Sequence, residues 1–211
     1  MTDRDWLAWH EQYDEPDSPL AQRLDVVRAW IRTVLDDAPD GSLTLVSMVA
    51  GQGRDVIPVV AEHPRRADLH GRLVELDPRN AAAASAAIAA AGLTDIDVLT
   101  GDAADLDSYR PYVPADLVLM CGLFGNISEQ DIRSMIDHGR ALTKRGGSII
   151  WTRGRNHADL VPTIAGWFRD AGYDERYVSD PRYEFGVGVH QWNGDPVPLP
   201  RGTHAFTFVG H

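Results

Sequence analysis

Cysteine occurs once in this chain, at Cys121. A lone thiol excludes an internal disulfide and any cysteine-rich metal centre, and a reducing cytoplasm is the expected setting. Positive charge is also scarce: 20 Lys and Arg stand against 31 Asp and Glu, for a net charge of −11. Neutralising nucleic-acid phosphates needs clustered cations, so no nucleic-acid partner is expected. The one dense basic cluster is Thr152-Arg153-Gly154-Arg155. It is too short for such a footprint and reads either as two solvated arginines or as a holder for one anionic group of a small ligand. No apolar run approaches the roughly 20 residues of a membrane span. Met1 to Asp5 is polar and acidic, so neither a membrane partner nor a signal peptide is expected. The histidines lack metal-ligand spacing, and no metal site is expected. A Gly-Lys-Ser/Thr loop and a Gly-x-Ser-x-Gly elbow are both missing, which excludes a P-loop and argues against an α/β-hydrolase.

The residues that are present alternate regularly. With 211 residues, 44% of them hydrophobic, the chain suits one substantial core, and a single domain over residues 1–211 is expected. Ser18 can cap a helix with Pro19 at its first position, followed by Leu20, Leu24, Val27, Ile31, Val34 and Leu35 at helical spacing. A buried strand is predicted at Leu43–Val49, then a helix at Arg54–Glu62 and a strand at Arg72–Leu76. The stretch Ala81–Ala91 is almost all alanine with Gly92 after it, and reads as a slim helix ended by glycine. Further strands are predicted at Ile96–Leu99, Ala115–Met120 and Ser148–Thr152. Ser128-x-x-Asp131 looks like a capping box for a helix that Gly146-Gly147 ends, and Asp159 caps a last helix with Pro162 in its first turn. Such alternation implies a parallel sheet with helices on both faces and right-handed crossovers. After Gly172 only strand-like segments follow, at Glu175–Val178, Phe185–Gln191 and Ala205–Val209, which predicts an antiparallel edge. Residues 1–40 read as an N-terminal helical segment, and residues 41–211 as the α/β core.

The densest signal is Leu45 to Asp55, where an apolar run breaks into Gly51-x-Gly53 and leads into a helix. Ligands in open α/β sheets bind outside the carboxyl ends of the strands. Glycines there let the backbone approach a ligand closely. A dinucleotide fingerprint would continue to a third glycine, but that position is Val56, whose branched side chain crowds the helix–strand approach.

Four segments together resemble the class I S-adenosylmethionine-dependent methyltransferases over most of the chain: Val46 to Gly53, Val74 to Pro78, Leu99 to Ala103 and Ala115 to Gly122. The resemblance implies a Rossmann-like, mostly parallel seven-stranded sheet that binds S-adenosyl-L-methionine, with residues 1–40 as an N-terminal helical lid. It implies a site at Ala50, Gly51, Gly53, Asp55, Glu75, Leu76, Asp102, Ala103, Cys121 and Gly122. Glu75 would accept both ribose hydroxyls, Asp102 the adenine amine, and Ala103 N–H a ring nitrogen. Two positions depart from the family pattern. Ser47 stands where an acidic residue is common, and Val49 where the first glycine is; Asp55 is the candidate for the missing charge. No Asn/Asp-Pro-Pro-aromatic motif follows the fourth strand, which argues against methylation of nucleic-acid bases.

On the acceptor side, Trp6, Trp9 and Tyr13 recur at helical spacing, and either dock on the core or lie over the sulfonium through cation–π contact. His10, Tyr13, Asn126 and His190 are the candidate catalytic residues, with His190 expected to reach the active-site rim from its strand. His157 is a second candidate base. Phe124 reads as core or as a stacking surface, and the Cys121 side chain as a small buried hydrophobe. The resemblance thus implies methyl transfer to a small-molecule acceptor. Its rivals are another reaction of the same cofactor, and a non-catalytic cofactor-binding protein. A nicotinamide oxidoreductase is disfavoured by Val56. The residues leave the oligomeric state open.

Overall fold

The computed structural model describes Glu15, residues 18–155 and residues 158–209. Seven strands are present: β1 (Leu43–Ser47), β2 (Leu69–Glu75), β3 (Ile96–Thr100), β4 (Ala115–Met120), β5 (Thr143–Gly154), β6 (Tyr173–Val178) and β7 (Phe185–Trp192). They form one sheet in the order β3-β2-β1-β4-β5-β7-β6. Strands β1 to β5 are mutually parallel, and β7 runs antiparallel to both β5 and β6. This is the expected Rossmann-like sheet with an antiparallel C-terminal edge. Chain order reverses between β1 and β4, which opens a crevice at their carboxyl ends.

Five helices cover the sheet among the described residues: α1 (Pro19–Asp37), α2 (Ile57–Glu62), α3 (Pro78–Ala91), α4 (Glu129–Leu142) and α5 (Val161–Asp170). Alternation along each strand sorts the core into two layers. Leu43, Leu45, Leu117, Leu119 and Ile150 pack with Val27, Ile31 and Leu35 of α1 and with residues of α2 and α3. Val46, Val118, Met120, Ile149 and Trp151 pack on the other side with α4 and α5. The alanine helix lies close to the sheet through buried Ala81, Ala84 and Ile88, starts at an Asp77 cap, and ends at Gly92 in a left-handed conformation. Ser18 and Ser128 cap α1 and α4 through their hydroxyls, as their patterns predict.

Three expectations are corrected. The helix after the glycine turn starts at Ile57, not Arg54, because residues 54–56 are taken up by the turn. Gly146-Gly147 does not end α4, which stops at Leu142; the glycines lie inside β5. There a register shift leaves residues 144–147 opposite Asp116 alone, and a Cβ at Gly147 would lie 2.7 Å from the Ala115 carbonyl oxygen. Ala205–Val209 is not a sheet strand. Pro196, Pro198 and Pro200 remove ladder donors ahead of it. The segment instead crosses the strand carboxyl ends, bonded through Thr203 to Leu106, Ala205 to Ala104 and Val209 to Asn126.

The Phe185 to His190 segment has a packing origin. Gly186 and Gly188 face the α4/α5 layer, where an added Cβ would overlap Val161 at Gly186 and the Trp151 indole at Gly188. The missing side chains let Trp151 lie flat against β7 and stack parallel to Phe168 at 6.0 Å. Gly188→Ala should therefore cost about 1–3 kcal/mol through overpacking, measured by urea unfolding. Gly125→Ala, whose Cβ meets nothing within 4 Å, should change stability by no more than about 0.5 kcal/mol. Equal stability of the two variants would contradict this packing account.

Candidate functional site

The chain leaves β1 at Ser47 and turns over the sheet end in residues that hold left-handed backbone: Val49 at φ +48°, Gly51 at +56° and Gly53 at +67°. Among the described residues Val49 is the one residue other than glycine that holds this conformation. Its branched side chain makes this costly, on the order of 1–3 kcal/mol. Gly53 is required by space as well, since a Cβ there would meet Ile57 and Leu73.

Glu75 closes the turn from the end of β2. It is 8% exposed, and its two carboxylate oxygens accept from the Gly51 N–H at 2.8 Å and the Asp77 N–H at 2.9 Å. Leu76 beside it is 61% exposed, an apolar surface at the same strand end. After β3, Asp102 accepts from the Ala104 N–H at 2.9 Å, and its second oxygen lies 3.1 Å from His204 Nε2. Ala103 is buried, and its carbonyl accepts from the Tyr109 hydroxyl.

After β4, the Gly122 N–H donates to Thr152 Oγ1 at 2.8 Å. The Asn126 side-chain amide folds back to donate to the Gly122 carbonyl at 2.6 Å. Asn126 thus holds this loop in shape. The Cys121 thiol faces Ile150, and burial beside Asp55 pushes it well above its ordinary range, so it stays protonated. Asp55 lies across from it. Its Oδ1 is shielded and accepts no hydrogen bond from the described residues, and burial raises the carboxyl, offset only in part by the Val56 and Asp55 N–H groups and by Arg23 and Arg28 of α1. A shielded carboxylate oxygen without a donor is suited to an ammonium group.

The candidate residues Ala50, Gly51, Gly53, Asp55, Glu75, Leu76, Asp102, Ala103, Cys121, Gly122 and Asn126 therefore all gather at the carboxyl ends of β1 to β4. His190 does not. It is fully buried on β7 opposite Ile149, while Phe185 pairs with Gly154 at the rim. Five residues of strand place it about 17 Å below that rim. Its Nδ1 accepts from the Trp151 indole N–H at 3.1 Å, its ring stacks on Phe168 at 4.3 Å, and burial lowers its pKa to about 3. It is a neutral core residue, and the expectation of a rim base is corrected. His10, Tyr13, Trp6, Trp9 and His157 lie outside the described residues. Sequence reasoning missed His204, which carries no motif, and gave no weight to Thr152 beyond its place in the basic cluster.

Residues 22–170 match the model of a family described as "Putative methyltransferase". That match spans more than half of the chain, which therefore belongs to this methyltransferase family. Solved structures share the fold. An O-methyltransferase family protein from Burkholderia thailandensis is 21% identical with a TM-score of 0.61, over 82% of this chain and 56% of that one. Magnesium protoporphyrin IX methyltransferase from Synechocystis PCC 6803, solved with bound SAM, is 19% identical with a TM-score of 0.59, over 82% and 80%. A TehB-like SAM-dependent methyltransferase from Corynebacterium glutamicum is 15% identical with a TM-score of 0.57, over 82% and 96%. The chain thus spans little more than half of the first of these and nearly all of the last. No curated protein sequence matches it significantly.

The Asp55 geometry sets a pH dependence. Its folded carboxyl binds a proton more tightly than in the unfolded chain, where its value is near 3.8. The ionised group therefore destabilises the free protein above its folded pKa, and this penalty fades as pH falls towards the unfolded value. Asp55→Asn should raise Tm at pH 7–8, with the gain shrinking to nothing by about pH 4. A lower Tm for the variant at neutral pH would show that the carboxylate is paired in the free protein.

Proposed function

We propose that the protein binds S-adenosylmethionine across the carboxyl ends of β1 to β4 and catalyses methyl transfer to a small-molecule acceptor. The observation that carries this reading is Glu75 at the end of β2, fixed against the glycine turn, with a second carboxylate at Asp102 one strand further out. Each Glu75 oxygen takes one backbone donor and keeps a lone pair. The two oxygens can accept the two hydroxyls of one ribose. Leu76 supplies an exposed apolar face beside them for the adenine ring, and Asp102 an acceptor at its edge. The methionine end then falls over Gly51 and Gly53, where the shielded Asp55 oxygen receives its ammonium group. Asp55 thereby replaces the charge that Ser47 does not provide.

When bound, the cofactor supplies a methyl group made electrophilic by its sulfonium. The chain's contribution is placement. The glycine turn and the loop Gly122–Ile127 fix where donor and acceptor meet. In-line placement alone is worth several kcal/mol of barrier. His190, the described candidate base, is buried in the core, which suits a reaction driven by positioning, with the acceptor proton passing to water. In this reading residues 1–211 act as one domain. A protein with one protonated thiol and no described helix long and apolar enough to cross a membrane suits a cytoplasmic setting.

Calorimetric titration with S-adenosylhomocysteine tests the assignment. Wild-type protein should bind it, and Glu75→Ala should weaken binding about ten- to a hundredfold, since buried charge-assisted hydrogen bonds contribute about 1.5–3 kcal/mol. Unchanged affinity in the variant would remove Glu75 from the ribose site. Absence of binding by the wild type would overturn the cofactor reading.

A further inference from the structure

Arg153 is the next-to-last residue of β5, on the α4/α5 face that Trp151 occupies two residues earlier. It is half-buried, and its Nη1 donates to the Phe124 carbonyl. Its Nε is shielded from water and has no partner among the described residues. None of the described carboxylates lies within ion-pair reach of it. The electrostatic influence of Glu129 only partly offsets burial, which pulls the guanidinium below its ordinary pKa. Arg155, two residues on, is the contrast: Asp159 and the carbonyls of Ser179 and Phe185 satisfy it. Holding a partly desolvated cation without a counter-ion costs stability, and in a chain of net charge −11 the cost calls for a functional account.

The place of Arg153 supplies one. The loop it braces follows β4, beyond the proposed position of the sulfonium. One step along the same loop, the Asn126 carbonyl accepts from the Val209 N–H at 2.9 Å, and Ile127 bridges to Phe208. Phe208 and Val209 are 40% and 41% exposed, although the preceding Phe206 is buried. Three short tethers therefore bring an unpaired guanidinium and an exposed apolar pair to one loop.

We propose that the acceptor is a small carboxylate with an apolar body, its carboxylate received by Arg153 and its body lying against Phe208 and Val209. A guanidinium matches a carboxylate in shape and neutralises a single negative charge. A phosphate dianion would keep excess charge in a site that already holds Asp55, Glu75 and Asp102. This proposal rests on the cofactor reading above.

The test titrates protein saturated with S-adenosylhomocysteine with 4-hydroxybenzoate, phenylacetate and indole-3-acetate, each paired with its neutral amide. At least one carboxylate should bind tenfold or more tightly than its amide. That preference should vanish in Arg153→Gln and survive in part in Arg153→Lys, with S-adenosylhomocysteine affinity unchanged in both. The wild-type pairs and the lysine variant decide the matter if the glutamine variant does not fold. Carboxylates and amides binding alike, no carboxylate binding, or a preference that persists in Arg153→Gln would overturn this proposal alone. Absence of S-adenosylhomocysteine binding would show beforehand that the cofactor reading, and this proposal with it, had failed.

Discussion

The contact between Glu75 and the glycine turn is the constraint on which the site depends. One carboxylate at the end of β2 holds the Gly51 N–H from the β1 turn and the Asp77 N–H at the start of α3. Two crossovers that leave neighbouring strands are tied at a single buried charge. Losing it would free both backbone segments at the place where a ligand must meet fixed donors. The strained Val49 backbone is held by the same framework, since the Ala50 N–H donates to the Val74 carbonyl next to Glu75. Strain at a ligand turn persists only where neighbouring bonds over-determine it, and this turn meets that condition.

Charge is distributed to match. Asp55, Glu75 and Asp102 gather at the carboxyl ends of β1, β2 and β3. A cationic sulfonium and an ammonium suit such a setting better than a phosphate does. Asp55 is the least compensated member, with a shielded oxygen that takes no hydrogen bond from the described residues. Arg153 is its counterpart of opposite sign on the other side of β4. Leaving one shielded charge of each sign only partly compensated is unfavourable for the free protein and favourable for a ligand that carries both complements. The aromatic layer of Trp151, Phe124, Phe168 and His190 lies beneath this end of the sheet and keeps the loop after β4 on a rigid base.

Periodicity made most of this architecture legible. Apolar runs placed all seven strands, and the caps at Ser18 and Ser128 marked helix starts because each hydroxyl has one local partner to find. The glycine turn, Glu75 and Asp102 were legible because their spacing follows from strand–turn–helix geometry. The misreadings have a common origin in non-local pairing. His190 ends a glycine-alternating segment that looks like an approach to the rim. Its depth is set by antiparallel register with β5, which no local pattern encodes. Ala205–Val209 has strand-like composition but is drawn across the loops by Ala104 and Asn126. Arg153 stood in view within a basic cluster, yet only the paired state of Arg155 distinguishes the two arginines.

A crystal soaked with S-adenosylhomocysteine tests the central claim most directly. The account predicts density with both ribose hydroxyls on the Glu75 carboxylate, adenine over Leu76 towards Asp102, and the amino group on Asp55 Oδ1. Ligand density elsewhere on the protein, or a fully occupied ligand whose ribose does not touch Glu75, would contradict it.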